Sequence, residues 1–547
     1  MFDWTNPYLT TRAPVMGVNV CSTSHPYAAQ AGLQMLQRGG NAVDAALAAA
    51  AALCIVEPVS NGLGGDCFAI VWDGKALHGL NASGCSPQNW SFKYFEEKYG
   101  LAGGDQVKRP MRGWDSVTVP GVVAGWQSLH AKWGTLPIQE LFGPAIEIAE
   151  RGFVTSPIVA TKWQAAIQEL QSQPGFRETF MPRGRAPGVG ELFQFRSAAR
   201  SLHQLCNRGL RDFYEGEIAQ ALVSHSIKNG GTLSLEDLSS YHPVWIQPIG
   251  QTIRAQDKDY KVYEIPPNGQ GIAALMAFGM LEEFDLAQFP VDSGQAQHLQ
   301  IEAMKLAFAD VYEHLSDPGS MRISVDELLD PEYLKRRSQS IHPDQARFPL
   351  TGLPDAGGTV YLTTADKNGM MVSFIQSNYM GFGSGVVLPQ WGISLQNRGY
   401  GFSPERRSSN CIGPKKRPFH TIIPAFLMRV EGNIEQPQMS FGVMGGDMQP
   451  QGHIQTLLRI LKWGQQPQAA CDAPRWKVNR DFSLDIESRT DSKLINDLIG
   501  RGHRLKNFQD TYMDFGSGQF IWRLSDQISD GYVAASDSRR DGQVAAF

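Results

Sequence analysis

A threonine at position 359 has the setting that nucleophilic chemistry needs. Thr359 follows Gly357 and Gly358, at the point where a polar, Pro/Gly-rich stretch gives way to a β-branched run. A threonine hydroxyl is a weak nucleophile, but an N-terminal threonine can use its own α-amine, with a pKa of about 7.7–8.0, as the base. Proteolysis would have to free Thr359, and Gly358 suits this because glycine tolerates strained backbone. An ordinary strand threonine fits the same residues.

Other catalytic templates are missing from the sequence. There is no HExxH motif and no Cys/His pair at ligand spacing, and His298 with Glu302 is expected to be an exposed i,i+4 pair. Neither a phosphate-binding GxxxxGK[ST] loop nor a GxSxG serine elbow is present. The seven cysteines are scattered without a CxxC pair, which is typical of reduced structural thiols. We therefore expect neither a metal nor a cofactor.

The elements next to Thr359 can be predicted from local patterns. Thr359 to Ala365 is predicted to be a strand, Asp366 to Gly369 a turn, and Met370 to Gln376 the partner strand. Residues 338–358 are predicted to be an exposed, mobile linker, since prolines and a glycine pair punctuate a polar stretch. Thr359 is thus the first residue of a predicted hairpin, and it directly follows a segment that is suited to proteolytic cleavage.

Two helices are predicted near the N-terminus. The first runs from Tyr27 to Arg38 and stops at Gly39-Gly40, and the alanine-rich stretch Ala42 to Val56 follows as a buried helix that is too short to span a bilayer. A glycine turn at 60–66 then enters an apolar strand, with a hairpin at Asp73-Gly74 and a second strand from Leu77 to Leu80. A buried sheet begins here.

Residues 120–310 are mostly helical by their periodicity and resemble a scaffold more than a site. The last helix of this region is predicted to be amphipathic, with an apolar side that includes Ile301 and Phe308. Its polar side carries Glu302, Lys305, Asp310 and Glu313.

Composition excludes several classes of function. Hydrophobic residues make up 42% of the 547 residues and charged residues 19%, which is ordinary for a globular protein. Basic and acidic residues number 49 and 54, with a net charge of −5 and no basic run, so nucleic acid is excluded as a partner. Since the N-terminus has neither a cationic leader nor an apolar segment, we expect a cytoplasmic protein without a membrane partner.

Short motifs in a fixed order run along nearly the whole chain. The first part contains Gly39-Gly-Asn-Ala-Val-Asp-Ala-Ala46, Glu57-Pro58, Gly62-Leu-Gly-Gly65, Val119-Pro-Gly121, Gly134-Thr-Leu-Pro137, Pro144-Ala145, Gly152-Phe153, Pro266-Pro-Asn-Gly269, Glu302-Ala303, Ala309-Asp310 and Asp317-Pro318. The second part contains Lys416-Arg-Pro418, Gly445-Gly446, Pro474-Arg475 and Ser536-Asp537. By these motifs the chain resembles the γ-glutamyltransferase family of N-terminal-nucleophile hydrolases.

The resemblance implies an α+β fold, a four-layer αββα sandwich of two antiparallel sheets between helices. It implies a precursor cut between Gly358 and Thr359 into a large subunit, 1–358, with the helical scaffold, and a small subunit, 359–547. The two subunits form one interleaved fold, and a dimer of two such heterodimers is compatible with the resemblance. The family's nucleophile, seven residues before an Asp-Lys-x-Gly turn, falls on Thr359. Its supporting hydroxyl falls on Ser377, and its oxyanion hole falls on Gly445 and Gly446.

The residues that hold a γ-glutamyl group in the family's transferases are replaced here. By resemblance, Ser83 stands where an arginine would bind the α-carboxylate, and Gly401 where an acid would bind the α-amine. The other positions of this substrate clamp are Asn378, Tyr379, His420 and Thr421. A buried zwitterion without countercharges is expensive to bind, so we expect γ-glutamyl compounds to be poor substrates.

Arg398 is a new cation in the same loop and could grip a carboxylate with two hydrogen bonds. It could equally be structural and pair with an acid or a loop carbonyl. The sequences 395–399 and 416–421 resemble the oxamate amidohydrolase branch of the family, which implies a small amide acid as substrate, with oxamate favoured. The alternatives are a γ-glutamyl hydrolase or transferase, an acylase of broader specificity, or an uncleaved, catalytically silent binding protein.

Overall fold

The computed structural model describes residues 12–349, 358–507 and 515–547. The strands are β1 Val15–Gly17, β2 Val20–Thr23, β3 Asp66–Trp72, β4 Leu77–Ala82, β5 Leu101–Gly103, β6 Gln106–Val107, β7 Phe153–Val154, β8 Leu192–Phe193, β9 Val244–Ile246, β10 Ile249–Ala255, β11 Lys258–Glu264, β12 Gly358–Ala365, β13 Met371–Tyr379, β14 Val387–Leu388, β15 Ile393–Ser394, β16 Ala425–Glu431, β17 Ile434–Met444, β18 Trp476–Val478, β19 Leu484–Ile486, β20 Leu505–Asn507, β21 Ser517–Arg523, β22 Tyr532–Ser536 and β23 Gln543–Ala546. The helices are α1 Pro26–Gln37, α2 Ala42–Val56, α3 Phe92–Tyr99, α4 Val122–Trp133, α5 Ile138–Arg151, α6 Pro157–Leu170, α7 Phe176–Phe180, α8 Arg196–Arg208, α9 Asp212–Glu215, α10 Glu217–Lys228, α11 Leu235–Ser239, α12 Gly271–Leu281, α13 Gly294–His314, α14 Val325–Leu328, α15 Pro331–Ser338, α16 Met448–Leu461, α17 Pro467–Asp472 and α18 Ser492–Gly500.

Two antiparallel sheets of seven strands each form the centre of the molecule. The first has the order β23-β2-β12-β13-β3-β4-β9 and the second the order β1-β22-β21-β17-β16-β11-β10. Both predicted hairpins are confirmed, because β3 pairs with β4 and β12 with β13. Each sheet contains strands from before and after Gly358.

Apolar side chains fill the space between the two sheets. Phe68 and Ile375 of the first sheet belong to one buried cluster with Phe426 and Ile521 of the second. A second cluster joins the outer side of the first sheet to α2, α4 and α5, and a third joins the second sheet to α12, α13 and α16. Since strand residues alternate between faces, each sheet buries both faces. The predicted four-layer αββα sandwich is confirmed.

Helix α2 is buried along its whole length, as predicted. All 15 of its residues are buried, and its alanines let it lie close to α1 and against β12 and β13. Asn41 caps its first turn together with Asp44 in a capping box. Within the described ranges no helix is long and apolar enough to cross a membrane.

The prediction of an exposed pair on α13 is wrong. His298 is 0% exposed and Glu302 is 3% exposed, and Lys305 and Asp310 are also buried. Helix α13 packs against α12, α16 and α18, so its polar side faces protein as well. The charges are tolerated because they are paired, as in the contact of 2.8 Å between Lys305 Nζ and Glu302 Oε1.

His298, Glu302 and His503 lie close enough together to hold a metal ion, with ligand atoms within 4.8 Å of one another. Protein groups already occupy the ring nitrogens, however. His298 Nε2 lies 2.8 Å from the carbonyl oxygen of His342. His298 Nδ1 lies 2.8 Å from His503 Nε2. His503 Nδ1 lies 3.2 Å from the ammonium of Lys305. A cation is thus part of the cluster, which disfavours a metal.

The predicted linker 338–358 is only partly described, since residues 350–357 lie outside the described ranges. Ser338 is the last residue of α15, and most of the stretch 339–349 is exposed, as predicted. Its backbone is nevertheless tethered, because the N–H of Arg347 donates to Glu302 Oε2 at 3.0 Å. The described part of the linker therefore follows the surface near α13.

We predict that Asp44→Ala lowers the free energy of unfolding by roughly 1–3 kcal/mol, because it removes a cap and leaves two backbone N–H donors without their acceptor. Asp44 accepts hydrogen bonds from the N–H groups of Asn41 at 3.0 Å and Thr135 at 3.1 Å. Urea unfolding followed by circular dichroism measures the change. The exposed Asp285, which makes no capping bond, is the matched control. An equal effect of Asp285→Ala would contradict the prediction.

Candidate functional site

Thr359 lies at the start of β12, against the turn that ends β13. Gly358 is opposite Tyr379, and the register shifts between Gly358 and Val360, so a bulge sits at Thr359. The side chain is 1% exposed. Its hydroxyl Oγ1 donates to Ser377 Oγ at 3.2 Å. The two hydroxyls that were predicted to work together are therefore in contact.

A strained turn fixes the position of the Ser377 hydroxyl. Ser377 Oγ accepts a hydrogen bond of 2.7 Å from the N–H of Tyr379. Tyr379 has φ +78°, a left-handed conformation that is uncommon outside glycine. Strain of this kind concentrates at functional sites. The turn also directs the Tyr379 ring toward Arg398.

Gly445 and Gly446 connect β17 to α16. Their φ angles are +135° and +60°, and a Cβ on Gly445 would lie 2.9 Å from the Cα of Gly516. The carbonyl oxygens of Gly445 and Gly446 accept from the N–H groups of Met448 and Gln449, both at 3.1 Å. The carbonyls thus face the first turn of the buried helix α16, whose N–H groups hold the turn in place.

Arg398 is buried and only partly satisfied. It is 1% exposed, and its Nη1 donates to Thr421 Oγ1 at 2.9 Å. Its guanidinium carbon lies 4.5 Å from the centre of the Tyr379 ring. Nε and Nη2 have no hydrogen-bond partner in the described part of the chain, and burial lowers the pKa of Arg398 to about 10. A buried guanidinium with two unused donors is suited to an anionic ligand.

His420 contacts Asp66, a residue that the sequence did not indicate. His420 Nε2 lies 3.1 Å from Asp66 Oδ2, and both side chains are 0% exposed. Asp66 Oδ1 accepts from the N–H groups of Gly84 and Gly121 at 3.2 and 3.1 Å. Burial lowers the pKa of His420 well below its usual value, with a further contribution from Arg398. His420 is therefore neutral and engaged with protein.

Ser83 and Asn378 form their hydrogen bonds with residues other than Arg398. Ser83 Oγ donates to Asn81 Oδ1 at 2.7 Å, and Asn378 Nδ2 donates to Ser394 Oγ at 3.0 Å. Of the predicted residues, the observed contacts connect Thr359, Ser377, Tyr379, Arg398 and Thr421.

Two arginines near Tyr379 were not found from the sequence. Arg109 stacks on Tyr400, with 4.0 Å between its guanidinium carbon and the ring centre. Arg480 Nε contacts Asp447 Oδ2 at 2.7 Å, next to the glycine turn. Both arginines stand in loops without a local motif, so no sequence signal marks them.

Comparison with known proteins shows similarity over almost the full length. The model of the gamma-glutamyltranspeptidase family matches residues 28–547. The glutathione hydrolase-like YwrD proenzyme of Bacillus subtilis (strain 168) is 36% identical over 88% of this chain and 89% of its own length. The oxamate amidohydrolase proenzyme of Klebsiella pneumoniae is 33% identical over 96% of this chain and 97% of its own. The crystal structure of cephalosporin acylase from Bacillus halodurans has a TM-score of 0.92 and 43% identity, covering 100% of this chain and 99% of that one.

These similarities confirm the resemblance drawn from the motifs and the fold drawn from it. Relatives described as proenzymes imply a precursor that is cut into a large and a small subunit. They also confirm an enzyme with an N-terminal nucleophile, against the alternative of a silent binding protein. The names of the three relatives differ in substrate, so the substrate must be argued from the pocket.

We predict that Asp66 makes stability depend on pH between about 4 and 7. Burial raises the pKa of Asp66 to about 7 against the opposing effect of Arg398. The folded protein then holds a proton that the unfolded chain has released, so this group's contribution to stability falls as pH rises through this window. The stability of the wild type relative to Asp66→Asn should therefore be lower at pH 8 than at pH 5, by about 1.4 kcal/mol for each pH unit between pH 5 and the raised pKa.

Urea unfolding of both proteins at the two pH values measures this difference, and Asp285→Asn is the exposed control. A difference that stays constant, or that grows with pH, would contradict a raised pKa at Asp66.

Proposed function

Because the chain belongs to the gamma-glutamyltranspeptidase family and is an autoprocessed amidohydrolase with an N-terminal nucleophile, we propose that Thr359 is that nucleophile. Cleavage between Gly358 and Thr359 yields the subunits 1–358 and 359–547. The substrate is the amide of a small carboxylic acid, with oxamate favoured, and the products are oxalate and ammonia. The cytoplasm is the proposed location.

In the proposed acylation step, the free α-amine of Thr359 accepts the hydroxyl proton while Oγ1 attacks the amide carbon. The electron pair of the carbonyl moves to its oxygen, which the N–H groups of Gly445 and Gly446 stabilise. When the intermediate collapses, the C–N bond breaks and ammonia leaves with the proton that the α-amine held. An ester on Oγ1 remains.

Deacylation follows by the same groups. The α-amine takes a proton from water, the resulting hydroxide attacks the ester carbon, and the C–Oγ1 bond breaks as Thr359 regains its proton. Ser377 donates or accepts a hydrogen bond at Oγ1, and so keeps the hydroxyl aligned in both steps.

The observation that carries the substrate assignment is the buried Arg398 with two unused N–H donors. In oxamate the carboxylate is bonded directly to the amide carbon, so a short acid of this kind requires an anion site close to the nucleophile. Tyr379 links the two, since its N–H holds Ser377 and its ring stacks on Arg398. The contrasting γ-glutamyl group needs an acid for its α-amine, and the equivalent position is Gly401.

An acylase that releases a larger amine is the second candidate. The similarity to the cephalosporin acylase of Bacillus halodurans, at 43% identity, favours it. The two functions differ in the leaving group, ammonia against a substituted amine. Product analysis separates them.

We predict that Thr359→Ala abolishes both chain cleavage and turnover, and that Thr359→Ser keeps some of each, because serine retains the hydroxyl. A denaturing gel with intact-mass measurement reports the fragments 1–358 and 359–547. Fully active material with an uncut chain would contradict the mechanism, as would undiminished hydrolysis by the alanine variant.

We predict that Arg398→Met lowers kcat/KM for oxamate roughly 100-fold, since hydrogen bonds between charged groups contribute about 1.5–3 kcal/mol each. The value of kcat/KM for the neutral analogue oxamide should change little in this variant. The ratio of the two kcat/KM values, oxamate over oxamide, should therefore fall by a similar factor. Ammonia release is measured for both compounds. Arg459→Met, which removes a buried arginine paired with Asp292, is the matched control.

A substrate panel completes this test. Turnover of γ-glutamyl-p-nitroanilide at a rate similar to that of oxamate would refute the substrate class. Amine release from an acylated cephalosporin without ammonia release from oxamate would favour the second candidate.

A further inference from the structure

We propose that Gln270 is a positioning residue that couples the carboxylate site to the oxyanion turn. The proposal deepens the function proposed above and rests on its assignment of Arg398 and Gly446. No sequence motif used above includes a role for this glutamine.

Gln270 reaches both parts of the site with one side-chain nitrogen. The residue is 0% exposed and directly precedes α12. Its Nε2 donates to the carbonyl oxygen of Thr421 at 2.7 Å and to that of Gly446 at 2.9 Å. Its backbone N–H donates to the carbonyl oxygen of His420 at 2.9 Å. A single residue from before the cleavage site thus holds two segments that follow it.

Thr421 is the shared member of this chain of contacts. Its hydroxyl accepts from Arg398 at 2.9 Å, while its carbonyl accepts from Gln270. The sequence Arg398, Thr421, Gln270, Gly446 therefore runs without a gap from the anion site to the glycine turn. An anion that repositions Arg398 acts on the turn through these hydrogen bonds.

The chemistry of the position requires a primary amide. Two carbonyl oxygens need two N–H groups on one neutral nitrogen, which glutamine supplies. A carboxylate there would place oxygen against oxygen, and an aliphatic side chain would leave the Thr421 carbonyl without this donor.

Gly446 needs such a tether more than most residues would. Gly446 has φ +60°, and because glycine has no Cβ its backbone dihedral angles can change with little steric penalty. The Gly446 carbonyl belongs to the peptide group between Gly446 and Asp447. Fixing it restricts rotation about Gly446, and thereby the orientation of the preceding Gly445–Gly446 peptide group, whose N–H must face the reacting oxygen. Gln270 therefore preorganises the turn rather than touching the substrate.

Gln270→Leu and Gln270→Glu test the proposal in the full-length protein. We expect kcat for oxamate to fall roughly 10- to 100-fold with KM changed less than threefold, because a displaced donor affects the transition state more than substrate binding. We expect self-cleavage at Gly358 to slow as well, because attack on the Gly358 carbonyl also develops an oxyanion that the proposed turn would stabilise. The matched control is Gln455→Leu, whose buried amide also donates to two carbonyls, those of Gln451 and Trp476, away from the site.

Coupling is measured with the double variant Gln270→Leu/Arg398→Met. If the two residues act through one chain, the loss in kcat/KM should be smaller than the product of the single losses. Multiplicative losses would overturn the coupling. An unchanged kcat in Gln270→Leu, or the same loss in Gln455→Leu, would overturn the positioning role.

The experiments distinguish an incorrect substrate assignment from an incorrect role for Gln270. If the wild type cleaves itself but does not release ammonia from oxamate, the substrate assignment fails. The self-cleavage rates of Gln270→Leu and Gln455→Leu then decide the role of Gln270 alone.

Discussion

The pairing of β12 with β13 is the constraint on which the rest of the site depends. It brings residue 359 beside Ser377, although the two are 18 positions apart. The register cannot slip by one residue without exchanging every side chain between the core of the two sheets and the helical side. Tyr361 and Ile375 fill the core between the sheets, so packing far from the nucleophile fixes its position.

Local patterns predicted the elements that surround the site, and the resemblance supplied the candidate roles. The hairpin at 366–369 and the helix α2 follow from turn residues and apolar runs. The burial of α13 was missed because paired buried charges and solvent-exposed charges have the same periodicity in a sequence. Gln270 was missed because its contacts span 151 and 176 positions, so no short pattern contains both partners. Asp66 was seen only as the end of a glycine turn.

The positive charge of the buried Arg398 guanidinium is only partly balanced by other groups of the protein. Asp66 lies near Arg398 and raises its pKa, but it is fully engaged with His420 and two backbone N–H groups. Burial of the guanidinium is therefore only partly offset within the protein, as its lowered pKa indicates. An anionic ligand would remove this deficit, whereas a neutral one would bury two donors without compensation. This imbalance supports the proposed selectivity for an acid.

The mixed origin of both sheets has a consequence for the lifetime of the processed enzyme. After the proposed cut before Thr359, both seven-stranded sheets contain strands from two separate polypeptides. Refolding would then be a bimolecular reaction that competes with aggregation, whereas the precursor refolds as one chain. The mature form is thus expected to depend on slow unfolding for its persistence, and heat damage to it to be permanent.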